Sequence, residues 1–367
     1  MKILIDIGHP AHVHYFKNTI RILKEKGHEI TITARNKEVA FNLLDTYHLP
    51  YVSRGSGGKG IIGKLLYLLK GNAVIARVAR TFRPDIFLSF GSPYAAQVSK
   101  LFGKPHIAFD DTEYAKLEHF MYLPFTDTVV TPDVFRKNMG ARQVRYKGFI
   151  ELCHLAPTQF QPDESILAEL GLSRSDRYVI LRFIAWQASH DMGQRGLNLE
   201  QKLTLVHELS RHTRVFISAE GDLPPELEPY RLRLAPAKFH SFLAFASLYI
   251  GEGETTANEC AILGTPNILI NSLVAPETCL GVHLELQQYG LQELFENYEG
   301  LMEKALELLK DKTKVVYQER LQKMLGEKID VSAFMTWLIE NYPTSLSQLK
   351  AQPDYSDKFR LTLKAKQ

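Results

Sequence analysis

At 367 residues, 45% hydrophobic and 23% charged, the chain has the composition of a soluble globular protein and the length of two domains rather than one. No apolar run approaches the roughly 20 residues of a membrane span, the start Met1-Lys2-Ile3-Leu4-Ile5-Asp6 reads as a strand rather than a signal peptide, and Cys153, Cys260 and Cys279 are too few and too scattered for a disulfide framework or a zinc site, which suits a reducing cytoplasm. The net charge of +3 hides a split, because residues 1–150 hold 22 Lys and Arg against 12 Asp and Glu and the remainder holds 22 against 29; a basic first half either suits an anionic partner, such as a phosphorylated lipid, a membrane surface or a nucleic acid, or is a set of solvated lysines.

The first half alternates short β runs with helical runs. Strands are expected at Ile3–Ile7, Glu29–Ala34, Tyr51–Ser53, Asp85–Phe90, His106–Phe109 and Thr128–Thr131, and the alternation loosens after Val144–Phe149. Helices are expected at Val13–Lys26, Lys37–Tyr47, Ile61–Phe82 and Tyr94–Phe102. Pro157, Pro162 and Asp163 mark a connection, with a small helix over Ser165–Leu170. Alternation then restarts with a strand at Tyr178–Phe183, a helix at Leu199–Arg211 and a strand at Arg214–Ser218. A helix at His240–Phe245, strands at Leu248–Ile250 and Asn267–Ile270, and closing helices at Gly300–Leu309, Lys314–Leu325 and Val331–Glu340 follow. Repeated βα units give an α/β fold with parallel, doubly wound sheets. The expected division is a domain over 1–155, a second over 156–342 and a tail over 343–367 that is poorly ordered or docked across the domains. Ligands of such folds bind at the carboxyl ends of strands, and a cleft between two such domains is the default site.

The strongest chemical signal is Ile250-Gly251-Glu252-Gly253-Glu254-Thr255-Thr256-Ala257-Asn258-Glu259, which runs into Gly264-Thr265-Pro266. Strand, glycine turn and helix aim backbone N–H groups and a positive helix end at a phosphate, and Glu259 falls about one turn in, within reach of a ribose hydroxyl. Asp6-Ile7-Gly8-His9-Pro10-Ala11-His12-Val13-His14 sits where the first strand meets the first helix. His12 or His14 there acts as a general base or positions substrate, or the histidines hydrogen-bond the loop; no acidic partner gives them metal-ligand spacing. Asp110-Asp111-Thr112-Glu113 follows a strand directly and either does acid–base work, binds a hydroxylated substrate or caps a helix. Ser89-Phe90-Gly91-Ser92 is another strand-to-helix glycine turn. Trp186, Ser189, His190 and Asp191 follow the first strand of the second domain; Trp186 is ordinary core or lines the interdomain mouth, and Ser189-His190-Asp191 suits diphosphate or acceptor contact. Leucines and isoleucines at 61, 62, 65, 66, 68 and 69 lie among Lys59, Lys64, Lys70, Arg77, Arg80 and Arg83, as in an interfacial membrane helix or in a core helix with snorkelling cations.

The whole arrangement resembles the GT-B superfamily, above all the MurG-type N-acetylglucosaminyltransferases of peptidoglycan synthesis and the non-hydrolysing UDP-N-acetylglucosamine 2-epimerases. More narrowly, the opening Lys2-Ile3-Leu4-Ile5-Asp6-Ile7-Gly8-His9-Pro10-Ala11-His12-Val13-His14-Tyr15-Phe16-Lys17, with Ser89–Tyr94 and Phe109–Glu113, resembles an uncharacterised prokaryotic family of GT-B-like proteins. The resemblance implies two doubly wound Rossmann-like domains facing across a cleft. His12 falls on the histidine that ends the transferases' first glycine-rich loop. Ala108-Phe109-Asp110-Asp111 occupies the place of the epimerases' catalytic glutamate. Gly253, Glu254 and Thr255 fall on the diphosphate cradle, with Glu254 where the relatives keep glycine, and Glu259 falls on the ribose-binding glutamate. The epimerases' His-Arg-Arg-Glu-Asn signature is missing.

The implied activity is a glycosyltransferase using a nucleotide-diphosphate sugar, UDP-linked, in cell-surface polysaccharide or glycolipid synthesis. A sugar-nucleotide epimerase and a non-catalytic nucleotide-sugar-binding protein are the alternatives. His12, Asp110, Asp111 and Glu113 are the expected catalytic residues. Gly253, Glu254, Thr255, Thr256, Glu259, Ser189 and His190 are expected at the donor, and His9, His14, Gly91 and Ser92 at the acceptor. Neither a metal nor a cofactor is expected beyond the nucleotide sugar itself. The expected partners are a lipid-linked or saccharide acceptor and the cytoplasmic face of a membrane, met through the basic N-terminal domain, and not nucleic acid.

Overall fold

The seven short strands of the first unit pair in parallel, and the central ones are apolar and buried on both faces, as Val/Ile/Leu-rich strands covered by helices on each side must be. The computed structural model describes residues 1–58, 60–184, 196–219 and 221–362. The strands are β1 (Lys2–Ile7), β2 (Glu29–Ala34), β3 (Val52–Ser53), β4 (Ile86–Phe90), β5 (His106–Phe109), β6 (Thr128–Pro132) and β7 (Gln143–Tyr146), in the spatial order β3-β2-β1-β4-β5-β6-β7. Their connecting helices are α1 (Pro10–Glu25), α2 (Ala40–Thr46), α3 (Gly60–Phe82), α4 (Pro93–Leu101) and α5 (Lys116–Tyr122). The order reverses between β1 and β4, where Asp6 lies opposite Ser89. This is the switch point at which doubly wound sheets leave a crevice for ligands.

The short α6 (Leu152–Leu155) leads into the second unit. Its strands β8 (Tyr178–Phe183), β9 (Arg214–Ala219), β10 (Leu248–Gly251), β11 (Asn267–Ile270) and β12 (Glu293–Phe295) form a parallel sheet in the order β12-β11-β10-β8-β9. Here the reversal lies between β8 and β10. The helices are α7 (Ser165–Glu169), α8 (Leu199–Ser210), α9 (Phe239–Phe245), α10 (Glu254–Leu263), α11 (Gly281–Gln288), α12 (Leu301–Leu308) and α13 (Thr313–Glu327). The glycine turn between β10 and α10 therefore falls at the second unit's own switch point. Both units are mixed α/β with parallel, Rossmann-like sheets.

The division of the chain differs from the expected one. The compact units are 1–154 with 328–361, and 155–327. Helix α14 (Val331–Glu340), expected in the second domain, packs on α1 of the first. Phe334 lies against Tyr146, and Glu340 takes an ion pair from Lys26 and a contact from His28. The expected tail forms α15 (Thr344–Ala351) and a following turn, also on the first unit. An apolar helix face shows that a helix is buried, but not against which partner. Helix α1 starts three residues before its expected position because His9 caps it and Pro10 is pre-set for the first turn. The apolar spacing missed α5, α11 and β12, which are short and weakly periodic.

Candidate functional site

At the β1–β4 switch point the buried carboxylate of Asp6 collects four contacts. Arg54 Nε and Nη2 donate to it at 2.9 and 3.1 Å, Thr33 Oγ1 at 2.8 Å and Ser92 Oγ at 2.5 Å. Arg54 is itself 1% exposed, donates to Tyr67 Oη and lies over the Tyr94 ring. Burial works against its charge, but Asp6, Tyr67 and Tyr94 together outweigh burial and raise the guanidinium pKa. This pair underlies the Gly8 turn: Arg54 Nη2 lies 3.5 Å from where a Cβ on Gly8 would stand.

Above it, the Gly8 N–H donates to His12 Nδ1 at 3.3 Å, and the Ala11 N–H donates to His9 Nδ1 at 3.2 Å. Burial, with Lys37 and Arg54 nearby, lowers the His12 pKa to about 3. A neutral imidazole whose Nδ1 accepts carries its proton on Nε2. His12 is therefore a hydrogen-bond donor near neutral pH, and the general-base role expected of it does not fit this geometry. His9 is the α1 cap. His14 is buried, stacked on His154 and edge-on to Tyr47, so it serves packing rather than an open surface. Ser92 caps α4 while bonding Asp6, and it too is buried. Gly91 turns the chain at φ +58°, a left-handed conformation that favours glycine.

The acidic cluster separates into different jobs. Asp110 is a hub: Oδ1 accepts the Thr112 N–H at 2.9 Å, and Oδ2 meets Tyr122 Oη at 2.5 Å and His119 Nε2 at 3.0 Å. Lys137 in turn contacts His119 Nδ1. With both oxygens engaged, Asp110 fits a structural role better than that of a base. Glu113 accepts the Arg136 N–H and ties down the next loop. Asp111 is half-buried, with Thr112 Oγ1 donating to it at 2.9 Å. Burial, then the charges of Glu151 and Asp110, push its pKa well above the usual carboxylate range. It is the acid–base candidate of the set.

At the β8–β10 switch point the N-terminus of α10 opens at Gly253, which is in extended conformation. A Cβ there would stand 3.3 Å from Ile184 Cγ2 and 3.7 Å from Arg182 Nε. Arg182 is anchored to Ser218 Oγ at 2.9 Å and brings a cation to the helix end. The awkward Glu254 has a partner: its Oε1 lies 3.4 Å from Nε2 of fully buried His283 on α11, whose Nδ1 lies 3.0 Å from Gln292 Oε1. Gln292 Oε1 can only accept, so Nδ1 donates to it. The pair turns the carboxylate toward α11. Thr255 is half-buried in the first turn and Thr256 is buried. Glu259 is 4% exposed and pairs with His240 Nε2 at 2.9 Å, so His240 orients its carboxylate. Ser189 and His190, with Trp186 and Asp191, lie outside the described residues.

Four functional candidates escaped the sequence reading. Arg54 lies just past the short β3 and drew no notice, and His283 belonged to an unrecognised helix. Arg182 had a visible signal, an arginine inside the apolar run Tyr178–Phe183. Glu252 is fully buried and accepts the Ile184 and Leu197 N–H groups at 3.0 and 2.8 Å, with Lys202 at 3.2 Å. It ties the end of β8 to the chain leading into α8, and only tertiary structure shows that.

The Glu254–His283 pair leads to a mutational expectation. For an anion at this helix end, His283→Asn releases the carboxylate beside it and is expected to weaken affinity by about tenfold, whereas Glu254→Gln in the same background restores it. Titration calorimetry with UDP on the three proteins checks this; equal affinities would contradict it.

Solved structures share this fold at low sequence identity. The UDP-GlcNAc 2-epimerase of Methanocaldococcus jannaschii in complex with UDP-GlcNAc and UDP superposes with a TM-score of 0.59 at 13% identity, covering 86% of this chain and 94% of the enzyme. The spinosyn rhamnosyltransferase SpnG complexed with spinosyn aglycone gives 0.58 at 14% identity, over 92% and 100%. The chain thus shares its fold with solved structures of a transferase and of an epimerase alike. A sequence relative, "Uncharacterized protein MJ0665" of Methanocaldococcus jannaschii, is 23% identical over 295 residues, 77% of this chain and 84% of the relative. Residues 1–330, from the His9–His14 turn to the end of the second sheet's helices, match the family described as "Protein of unknown function (DUF354)", and the chain belongs to that family.

Proposed function

We propose that the protein is a glycosyltransferase that takes a nucleotide-diphosphate sugar, UDP-linked, and passes the sugar to a hydroxyl acceptor of cell-surface polysaccharide or glycolipid synthesis. The observation that carries this is the α10 N-terminus at the β8–β10 switch point. Gly253 admits a close approach, Arg182 adds a fixed cation, and Glu254 is held toward His283. Positive helix end and guanidinium together suit a diphosphate and the charge that grows on it as it leaves. Glu259, oriented by His240, is the proposed ribose contact. The co-complex of the M. jannaschii epimerase with UDP-GlcNAc and UDP supports a uridine nucleotide on this fold.

In this reading the first unit takes the acceptor. Asp111, once ionised, accepts the hydroxyl proton as oxygen attacks the anomeric carbon, and His12 Nε2–H donates a hydrogen bond to the reacting partners. A second reading, sugar-nucleotide epimerisation, is favoured by Asp111 itself, because a carboxyl that holds its proton can also act as an acid. Incubation with UDP-N-acetylglucosamine and other UDP-sugars, with and without lipid-linked and saccharide acceptors, separates the two. Release of UDP that depends on acceptor is the expected result. A new sugar epimer formed without acceptor would replace transfer by epimerisation, and binding without any turnover would sink both.

A further inference from the structure

Helix α3 has two apolar faces, and only one of them is used. Tyr67, Gly71, Ile75 and Ala79, at spacings of four, face the first unit's core and are buried. Ile62, Leu65, Leu66 and Leu69, at i, i+3, i+4 and i+7, form a second stripe that is 76, 57, 61 and 61% exposed. Scattered exposed leucines are ordinary, but four adjoining aliphatic side chains on two turns of one helix are a patch.

The charge around the stripe is one-sided. Helix α3 contains no Asp or Glu, and none occurs between Asp45 and Asp85. Lys64, Lys70, Arg77 and Arg80 on the helix are all exposed. At 100° per residue Arg80 returns to the azimuth of Ile62, and Arg77 and Lys70 fall beside it. The helix therefore presents an aliphatic tip followed by a basic collar along the same side.

The tip also has a defined place. A crossover helix runs antiparallel to its parallel strands, so the N-terminus of α3 stands at the carboxyl edge of the sheet. The Arg54 to Tyr67 hydrogen bond, with Arg54 on Asp6, pins it there. Helix α5 begins at the same edge and exposes Leu117 and Phe120, at 55 and 76%. That edge carries Gly8, His12 and Asp111.

We propose that the carboxyl edge of the first unit docks on an anionic lipid bilayer through the first turns of α3. The leucine stripe enters the headgroup–acyl boundary, and Lys70, Arg77 and Arg80 meet lipid phosphates. A second copy of the chain fits poorly, because a two-fold contact would set one acid-free basic helix against another. A protein partner is less suited, since the α3 stripe lacks the aromatic anchors that dominate protein interfaces. No described helix is long and apolar enough to cross a membrane, so the contact is peripheral. Docking in this orientation brings the acceptor edge to the bilayer surface, where an acceptor borne on lipid would be met. The inference does not depend on the nucleotide reading.

Co-sedimentation of the full chain with phosphatidylcholine vesicles, with and without phosphatidylglycerol, tests it. Binding is expected only to the anionic vesicles and should weaken with salt. Leu66→Ser with Leu69→Ser, and separately Arg77→Glu with Arg80→Glu, should each lower the partition coefficient about tenfold or more, with melting temperatures unchanged because all four side chains are exposed. Absence of binding to anionic vesicles overturns the proposal, as does binding that survives the serine pair. So does a concentration-dependent dimer in sedimentation velocity that the serine pair abolishes, which would make a second copy the occupant. Capture of a defined acidic protein in place of vesicles would overturn it equally.

Discussion

Asp111→Asn is expected to cut turnover by about 10²–10⁴-fold, the usual worth of a positioned acid or base, while nucleotide affinity stays within about twofold. It should also make the protein more stable at neutral pH. The Asp111 carboxyl has a raised pKa from burial and from Glu151 and Asp110. The fold therefore favours the protonated form. Its stabilising contribution is fully present below the unfolded pKa, near 3.8, and is lost as pH rises through the raised folded value. Above that value the charged, half-buried carboxylate is a burden that asparagine removes. Melting curves across pH should thus converge for the two proteins near pH 4 and separate as pH increases, with the asparagine variant higher. An active variant, or parallel curves, would remove Asp111 from the chemistry.

The largest effect on stability is expected at Arg54. Arg54→Met leaves the Asp6 carboxylate fully buried with only the Thr33 and Ser92 hydroxyls, and should cost about 3–5 kcal/mol. Adding Asp6→Asn should recover a large part of that loss, since the damage comes from an uncompensated charge rather than from a missing contact. Urea unfolding of the single and double variants measures both. A cost below about 1 kcal/mol for Arg54→Met would mean that Asp6 is not held as an ion. The pair matters beyond stability, because it sits under the Gly8 turn and fixes where His12 points.

The alternation of apolar runs and helical stretches was enough to read two Rossmann-like sheets, because strands buried on both faces are continuous in sequence. It could not place 331–361, whose helices look alike whichever unit they cover; the contact with α1 is tertiary. For α3, the sequence shows leucines at many azimuths, and periodicity alone does not say which stripe is buried. The core takes the face with Tyr67, Gly71, Ile75 and Ala79, and the richer one, with Ile62, Leu65, Leu66 and Leu69, is left outside.

The candidate site was legible as segments and not as roles. Each glycine turn fell at a switch point because strand-to-helix turns in these sheets all end on one edge. The residue assignments needed partners that lie far away in sequence. Glu254 is explained only by His283, Asp110 by Tyr122 and His119, and His12 by a backbone N–H four residues before it. The raised pKa of Asp111 has causes both near and far in sequence, burial first, then Glu151 and the adjoining Asp110.

The central claim is that the α10 N-terminus and Arg182 form a diphosphate cradle. Calorimetric titration of UDP into the wild-type protein and into Arg182→Ala tests it most directly. Saturable binding by the wild type, weakened at least about tenfold in the variant with the fold intact, is the predicted result. Absence of binding to UDP and to the other nucleoside diphosphates, or equal affinity in the two proteins, would contradict it.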